Sequence, residues 1–363
     1  MIRLRIIISA GGTGGHIYPA LAIINKIKEK EKDSEILYIG TTDRMESTII
    51  PEHGIKYIGI EIMGLNRKNP FRNIKVLSSF LKAKKKCIDI MKEFKPDVVL
   101  GIGGYVTSPV ILAAHSLGIK TFIHEQNSIP GLSNKILNRY VDKIGVSLPD
   151  SIKYFDKNKT IYTGNPRSEE AFNAKEISKS KYGLSNSKKL VLIVMGSLGS
   201  MVINKKMMEV LPKFKDKSYE VLFVTGKVYY EEYKNLKLPE NVIIKPYIED
   251  MPSLMKKTDL IVSRAGATSI SEITVLGLPS ILIPSPHVTH NHQYKNALVL
   301  KERGASVIIE EKDLTSTNLI ENIDNIILNK EKYDIMKKES KKLGVKTSAS
   351  KIYEVIKQLK DGE

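Results

Sequence analysis

The chain has 363 residues, 42% apolar and 27% charged, which suits a globular protein of two domains and excludes a disordered or fibrous one. Its single cysteine, Cys87, excludes a disulfide framework or a thiolate metal site and fits a reducing, intracellular compartment, and no run of 18 apolar residues offers a membrane-spanning helix. The net charge of +17 fits a phosphorylated substrate, an anionic membrane or nucleic acid.

The apolar start is too short for a signal peptide and runs straight into glycines, so residues 4–9 are expected as a buried strand. The loop Gly11-Gly12-Thr13-Gly14-Gly15-His16 follows, with a helix expected from about Tyr18. Further strands are expected at 36–39, 98–102, 121–123 and 144–146. Between the second and third of these five, residues 64–95 carry ten Lys/Arg against two acids. Here Phe71, Ile74, Leu77 and Leu81 recur at helical spacing among Lys75, Lys82 and Lys85, a basic amphipathic stretch suited to an anionic membrane surface. Thr163-Gly164-Asn165-Pro166 punctuates the chain and marks a domain boundary. Beyond it, strands are expected at 190–194, 220–224, 242–244, 260–262, 280–283 and 305–308, and residues 348–359 form an amphipathic helix. The runs are continuous rather than alternating, which predicts parallel sheets covered on both faces: two doubly wound α/β domains.

Each half opens alike, a strand leading through a glycine loop into a helix. The second-half loop is Gly196-Ser197-Leu198-Gly199-Ser200. Such loops present N–H groups at a positive helix end and suit a phosphate. A nicotinamide dinucleotide site is excluded, because Ile17 stands at the third glycine position and the second strand ends without an acid. A P-loop lacks its Lys-Ser or Lys-Thr pair. His16, where the helix begins, is a candidate general base. Arg264-Ala265-Gly266-Ala267-Thr268-Ser269-Ile270-Ser271-Glu272 offers a second anion-binding helix start, with Glu272 set to accept from a sugar diol. His287, His290 and His292 lack the partners and spacing of a metal site, and no D-x-D pair occurs, so no metal is expected.

In this order and spacing the motifs, with Thr42-Asp43-Arg44-Met45-Glu46, Gly103-Gly104-Tyr105, His124-Glu125-Gln126-Asn127 and Gln293–Ala297, resemble the MurG family over nearly the whole chain. The family adds N-acetylglucosamine to the lipid-linked muramyl-pentapeptide precursor of peptidoglycan. The resemblance implies two Rossmann-like domains facing a cleft, the GT-B glycosyltransferase fold. Residues 1–163 would be the acceptor- and membrane-binding domain and 164–340 the UDP-sugar domain. Residues 341–363 would form a helix packing back towards the first.

For the donor, UDP-N-acetylglucosamine, it implies that Ser197, Ala267, Thr268 and Ser269 hold the diphosphate. Ile248 would bond uracil through its backbone and Glu272 the ribose, and Arg167 would lie by the nucleotide. Asn127, His292 and Gln293 would meet the transferred sugar. For the acceptor, undecaprenyl-diphosphate-linked muramyl-pentapeptide, it implies Gly11, Gly12, Thr13, Gly14, Gly15, Gly103, Gly104, Tyr105 and Glu125, with Thr13, Gly14 and Gly15 near the donor as well. His16 would be the base for inverting transfer, with no cofactor, no metal and no nucleic-acid partner. The place implied is the cytoplasmic face of the bacterial plasma membrane, bound peripherally. The chain departs from the commonest pattern at Met195, at Arg167 directly after Pro166, and at His292. A UDP-N-acetylglucosamine 2-epimerase and a diacylglycerol glycosyltransferase on the same fold are the alternatives.

Overall fold

A computed structural model describes residues 3–64, 72–196 and 199–362. The chain divides into two compact units, Met1–Arg167 with Thr347–Glu363, and Ser168–Lys346. Each is built on one parallel sheet. The first has β1 (Arg5–Ala10), β2 (Glu35–Thr41), β3 (Lys56–Ile60), β4 (Val98–Gly103), β5 (Lys120–Glu125), β6 (Lys143–Val146) and β7 (Thr160–Tyr162), in the order β3-β2-β1-β4-β5-β6-β7. The second has β8 (Leu190–Val194), β9 (Glu220–Val224), β10 (Val242–Lys245), β11 (Leu260–Ser263), β12 (Ser280–Leu282) and β13 (Ser306–Ile308), in the order β10-β9-β8-β11-β12-β13.

In the first unit the helices are α1 (Gly14–Lys30), α2 (Glu46–Glu52), α3 (Arg72–Phe94), α4 (Thr107–Ser116) and α5 (Leu132–Leu137). The chain passes through α6 (Arg167–Asn173) into the second unit. There it forms α7 (Met201–Val210), α8 (Tyr230–Tyr233), α9 (Met251–Met255), α10 (Ala267–Leu276), α11 (His292–Glu302), α12 (Ser316–Ile327) and α13 (Lys330–Leu343). Finally α14 (Ser348–Asp361) joins the first unit.

The unbroken apolar runs are explained by burial on both faces of the sheet. Ile6 and Ile8 of β1 pack with Ile23 and Ile24 of α1 and Ile352 and Ile356 of α14, while Ile7 between them packs with Ala83, Cys87 and Met91 of α3. Burying each such side chain stabilises the fold by about 1.5–3 kcal/mol. Tyr353 and Lys357 of α14 also bond the Glu31 carboxylate just beyond α1, at 2.8 and 3.3 Å.

Two strands have no counterpart among the expected ones, β3 and β7. Both are sheet edges and only partly buried, so neither needs a continuous apolar run. The first helix begins at Gly14 rather than near Tyr18. Thr13 is its N-cap residue, and its carbonyl accepts from His16 and Ile17 at 3.0 and 3.2 Å. Glycines that read as loop therefore form the first helical turn. On α3 the buried stripe is Val76, Ala83, Cys87 and Met91, the last three packed with the sheet. Leu77 and Leu81 are instead 60% and 57% exposed. Cys87 is fully buried, and burial pushes its thiol up to about 12, which makes it an inert core residue.

Candidate functional site

In an open α/β sheet, ligands bind outside the carboxyl ends of the strands where the strand order reverses. In the first sheet that point lies between β1 and β4, in the second between β8 and β11. The loops leaving these four strands are Gly11–His16, Gly103–Tyr105, Gly196–Ser200 and Arg264–Ser269, so each unit holds two of the expected motifs at its reversal.

In the first unit the two glycine stretches interlock. The Gly11 amide donates to the Gly103 carbonyl at 3.1 Å. A Cβ on Gly104 would lie 2.5 Å from the Gly11 oxygen, and one on Gly103 would lie 2.5 Å from the His16 ring. Both residues also have positive φ, so only glycine fits there without strain. His16 lies on the first turn of α1, half-buried. Its Nδ1 donates to the Gly11 carbonyl at 3.0 Å, which places the basic lone pair on Nε2. The Gly12 amide donates to the Glu46 carboxylate at 3.0 Å. Gly11 and Gly12 were expected to meet an acceptor, but their amides are thus spent inside the unit. They supply shape, while Thr13, Gly14 and Gly15 open the helix, where amides have no carbonyl a turn behind them.

Tyr105 is half-buried, with its ring beside Gly64. Glu125 was also expected at the acceptor, yet it is 2% exposed. Its oxygens accept from the Asn127 backbone and side-chain amides (2.9 and 3.2 Å), the Gly131 amide (3.1 Å) and the Asn134 side chain (2.9 Å). These four bonds fill a carboxylate's acceptor sites, so Glu125 orients the loop bearing Asn127 instead of touching a sugar. The Arg167 amide bonds Asn165 Oδ1 at 3.1 Å, and the residue opens α6.

In the second unit, Gly196 and Gly199 have positive φ, and a Cβ on Gly199 would overlap the Thr225 carbonyl. Ser197 lies outside the described residues, as do Phe71 and the side chain of Ile74. A cleft of about 410 Å³ is lined by Gly196, Gly199, Ser200, Arg264, Ser285 and Gln293. Arg264 is held in its wall by a largely buried ion pair with Glu311 and by bonds to Ser200 Oγ (3.0 Å) and the Ile283 carbonyl (3.1 Å). Ala267, Thr268 and Ser269 form the first turn of α10, half-buried, and no side chain of the N-cap residue Gly266 covers their amides. Glu272 lies half-buried further along the same helix, and Ile248 is buried. His292 and Gln293 open α11, and Gln293 Oε1 accepts the Ser285 amide at 2.8 Å.

Sequence reasoning missed three features. Glu46 stands in the sequence only as the last residue of Thr42-Asp43-Arg44-Met45-Glu46. Glu311 lies 47 positions from Arg264, with nothing local to mark it. His290 and Asn291 both adopt the left-handed conformation just before His292, a strain of the kind concentrated at functional sites. A His-Asn pair, comparatively tolerant of that conformation, was the available signal. Among the described residues no group of three or more His, Cys, Asp or Glu could hold a metal ion.

The model of the glycosyltransferase family 28 N-terminal domain matches residues 6–146, and that of the family's C-terminal domain matches residues 190–358. A UDP-N-acetylglucosamine--N-acetylmuramyl-(pentapeptide) pyrophosphoryl-undecaprenol N-acetylglucosamine transferase of Bacillus cytotoxicus is 48% identical, covering 98% of this chain and 99% of its own. The enzyme of the same name from Halalkalibacterium halodurans is 47% identical over the same shares. The crystal structure of Acinetobacter baumannii MurG superposes with a TM-score of 0.81 at 25% identity, covering 98% of this chain and 99% of that one. With two parallel Rossmann-like units of this kind and identity at that level over its length, the chain belongs to the MurG family of family 28 glycosyltransferases, on the GT-B fold.

Proposed function

We propose that the chain transfers N-acetylglucosamine from UDP-N-acetylglucosamine to the 4-hydroxyl of undecaprenyl-diphosphate-linked muramyl-pentapeptide, inverting the anomeric carbon. One observation carries the reading: each unit brings two anion-suited motifs to the reversal of its strand order. The first unit takes the acceptor at Thr13–Gly15 and Gly103–Tyr105, and the second takes the donor. There the start of α10 faces the diphosphate, the Ile248 backbone reads uracil, Glu272 accepts from the ribose, and His292 and Gln293 meet the sugar.

In the reaction the acceptor's oxygen forms a bond to the anomeric carbon as the bond to UDP breaks. The hydroxyl proton passes to His16 Nε2, a step typically contributing about 10²–10⁴ in rate. The charge appearing on UDP meets fixed amides, whose orientation costs nothing at the moment of reaction. No metal ion and no cofactor enter this scheme.

No helix among the described residues is long and apolar enough to cross a membrane. The reading places the protein peripherally on the cytoplasmic face of the plasma membrane through α3. Support comes from Leu77 and Leu81, exposed one turn apart beside the exposed Lys75, Lys82 and Lys85.

The test is His16→Ala. Turnover is expected to fall by about 10²–10⁴, with donor affinity by calorimetry within about twofold of wild type. Turnover surviving within a few-fold would remove His16 from the reaction.

A further inference from the structure

Glu46 is a carboxylate with no exposed surface, at the first position of α2. Three donors point at it. Gly12 N–H reaches Oε2 at 3.0 Å, and Thr41 N–H and Thr41 Oγ1–H reach Oε1 at 3.2 and 2.8 Å. It makes no ion pair with a lysine or arginine among the described residues. A buried charge without a counter-ion is retained only where hydrogen bonds satisfy it.

The surroundings are shaped to admit this side chain. A Cβ on Gly11 would come within 2.9 Å of its carboxyl carbon, and one on Gly40 within 2.8 Å of its Cγ. Both glycines therefore leave room that Glu46 fills. Behind it, Tyr57 donates to the Thr41 carbonyl and Tyr38 to the Ala10 carbonyl, the latter at 2.9 Å. The ends of β1 and β2 are thus joined around the carboxylate.

We infer that Glu46 is the positioning residue of the acceptor loop. It takes the Gly12 amide out of anion binding and fixes the direction in which Thr13, Gly14, Gly15 and His16 leave β1. Since an anion at Gly12 would approach a buried negative charge, the acceptor's diphosphate is confined to the amides from Thr13 onward. The inference rests on the reading that this loop meets the acceptor.

Substituting Glu46→Gln keeps the shape and replaces one acceptor oxygen by an NH₂ group. That group must then face either the Gly12 or the Thr41 amide, donor against donor. Thr41→Val removes one donor with no change of volume and guards against a Gln variant that does not fold. Tyr57→Phe is the structural control, since among the described residues its hydroxyl donates to the Thr41 carbonyl and not to the carboxylate.

Steady-state kinetics on the full-length variants, with lipid-linked muramyl-pentapeptide and UDP-N-acetylglucosamine varied in turn, decide the matter. For Glu46→Gln, acceptor kcat/KM falls roughly tenfold to a hundredfold, the loss expected when a charged hydrogen bond goes. The donor KM stays within about twofold of wild type. Thr41→Val shifts the same parameter in the same direction by less, and Tyr57→Phe lowers only the melting temperature. The inference is overturned if His16→Ala collapses turnover while Glu46→Gln and Thr41→Val keep wild-type acceptor kinetics, or if both substrates' KM values move together. Survival of His16→Ala would instead strike at the underlying reading of the loop.

Discussion

His124 lies at the end of β5, wholly enclosed. Its Nε2–H donates to the Gly164 carbonyl at 3.0 Å, and Nδ1 accepts from Gln126 at 3.1 Å. Only the neutral ring can do both. Burial pushes its pKa down from 6.5 to about 4, against a smaller opposing pull from the Gly164 bond. Between those values the unfolded chain binds a proton that the folded chain refuses. The stabilisation is complete above pH 6.5 and lost as pH falls towards 4, by about 2 kcal/mol between pH 7 and 5. Denaturant midpoints at those two pH values should differ less for His124→Asn than for wild type, and an unchanged difference would contradict the assignment. At this scale the sequence was informative about identity more than role. Glu125 and Gly12 stand out in the motifs as acceptor contacts, but their hydrogen bonds run within the unit, Gly12 to Glu46 and Glu125 to Asn127, Gly131 and Asn134.

Among the elements, α3 shows what periodicity can and cannot resolve. Its amphipathic character was legible, but two apolar stripes share the helix, and only packing tells them apart. Ala83, Cys87 and Met91 meet the sheet and Val76 is buried with them, while Leu77 and Leu81 are exposed. Leu77→Glu with Leu81→Glu should therefore leave the melting temperature within about a degree. It should lower binding to phosphatidylglycerol vesicles at least tenfold, since each leucine contributes up to about 1.5–3 kcal/mol when buried. A variant that melts early and binds normally would make this face structural. The edge strands β3 and β7 leave no apolar run in the sequence for a related reason. An edge strand carries its pairing in backbone hydrogen bonds, which leave little trace in side-chain pattern.

Across the whole molecule, the division into two α/β units is legible in the two series of continuous apolar strands and in the break at Thr163-Gly164-Asn165-Pro166 between them. The return of α14 to the first unit rests on contacts between residues more than 300 positions apart, such as Tyr353 with Glu31, which no local pattern announces. What the molecule does comes down to one transfer, and labelled UDP-N-acetylglucosamine tests it directly. Incubated with the protein and lipid-linked muramyl-pentapeptide, the label should move into the lipid fraction with one UDP released per sugar. Without acceptor it should stay on an unchanged nucleotide sugar. Epimerised sugar in the acceptor-free reaction, or no label in the lipid when both substrates are present, would contradict the account.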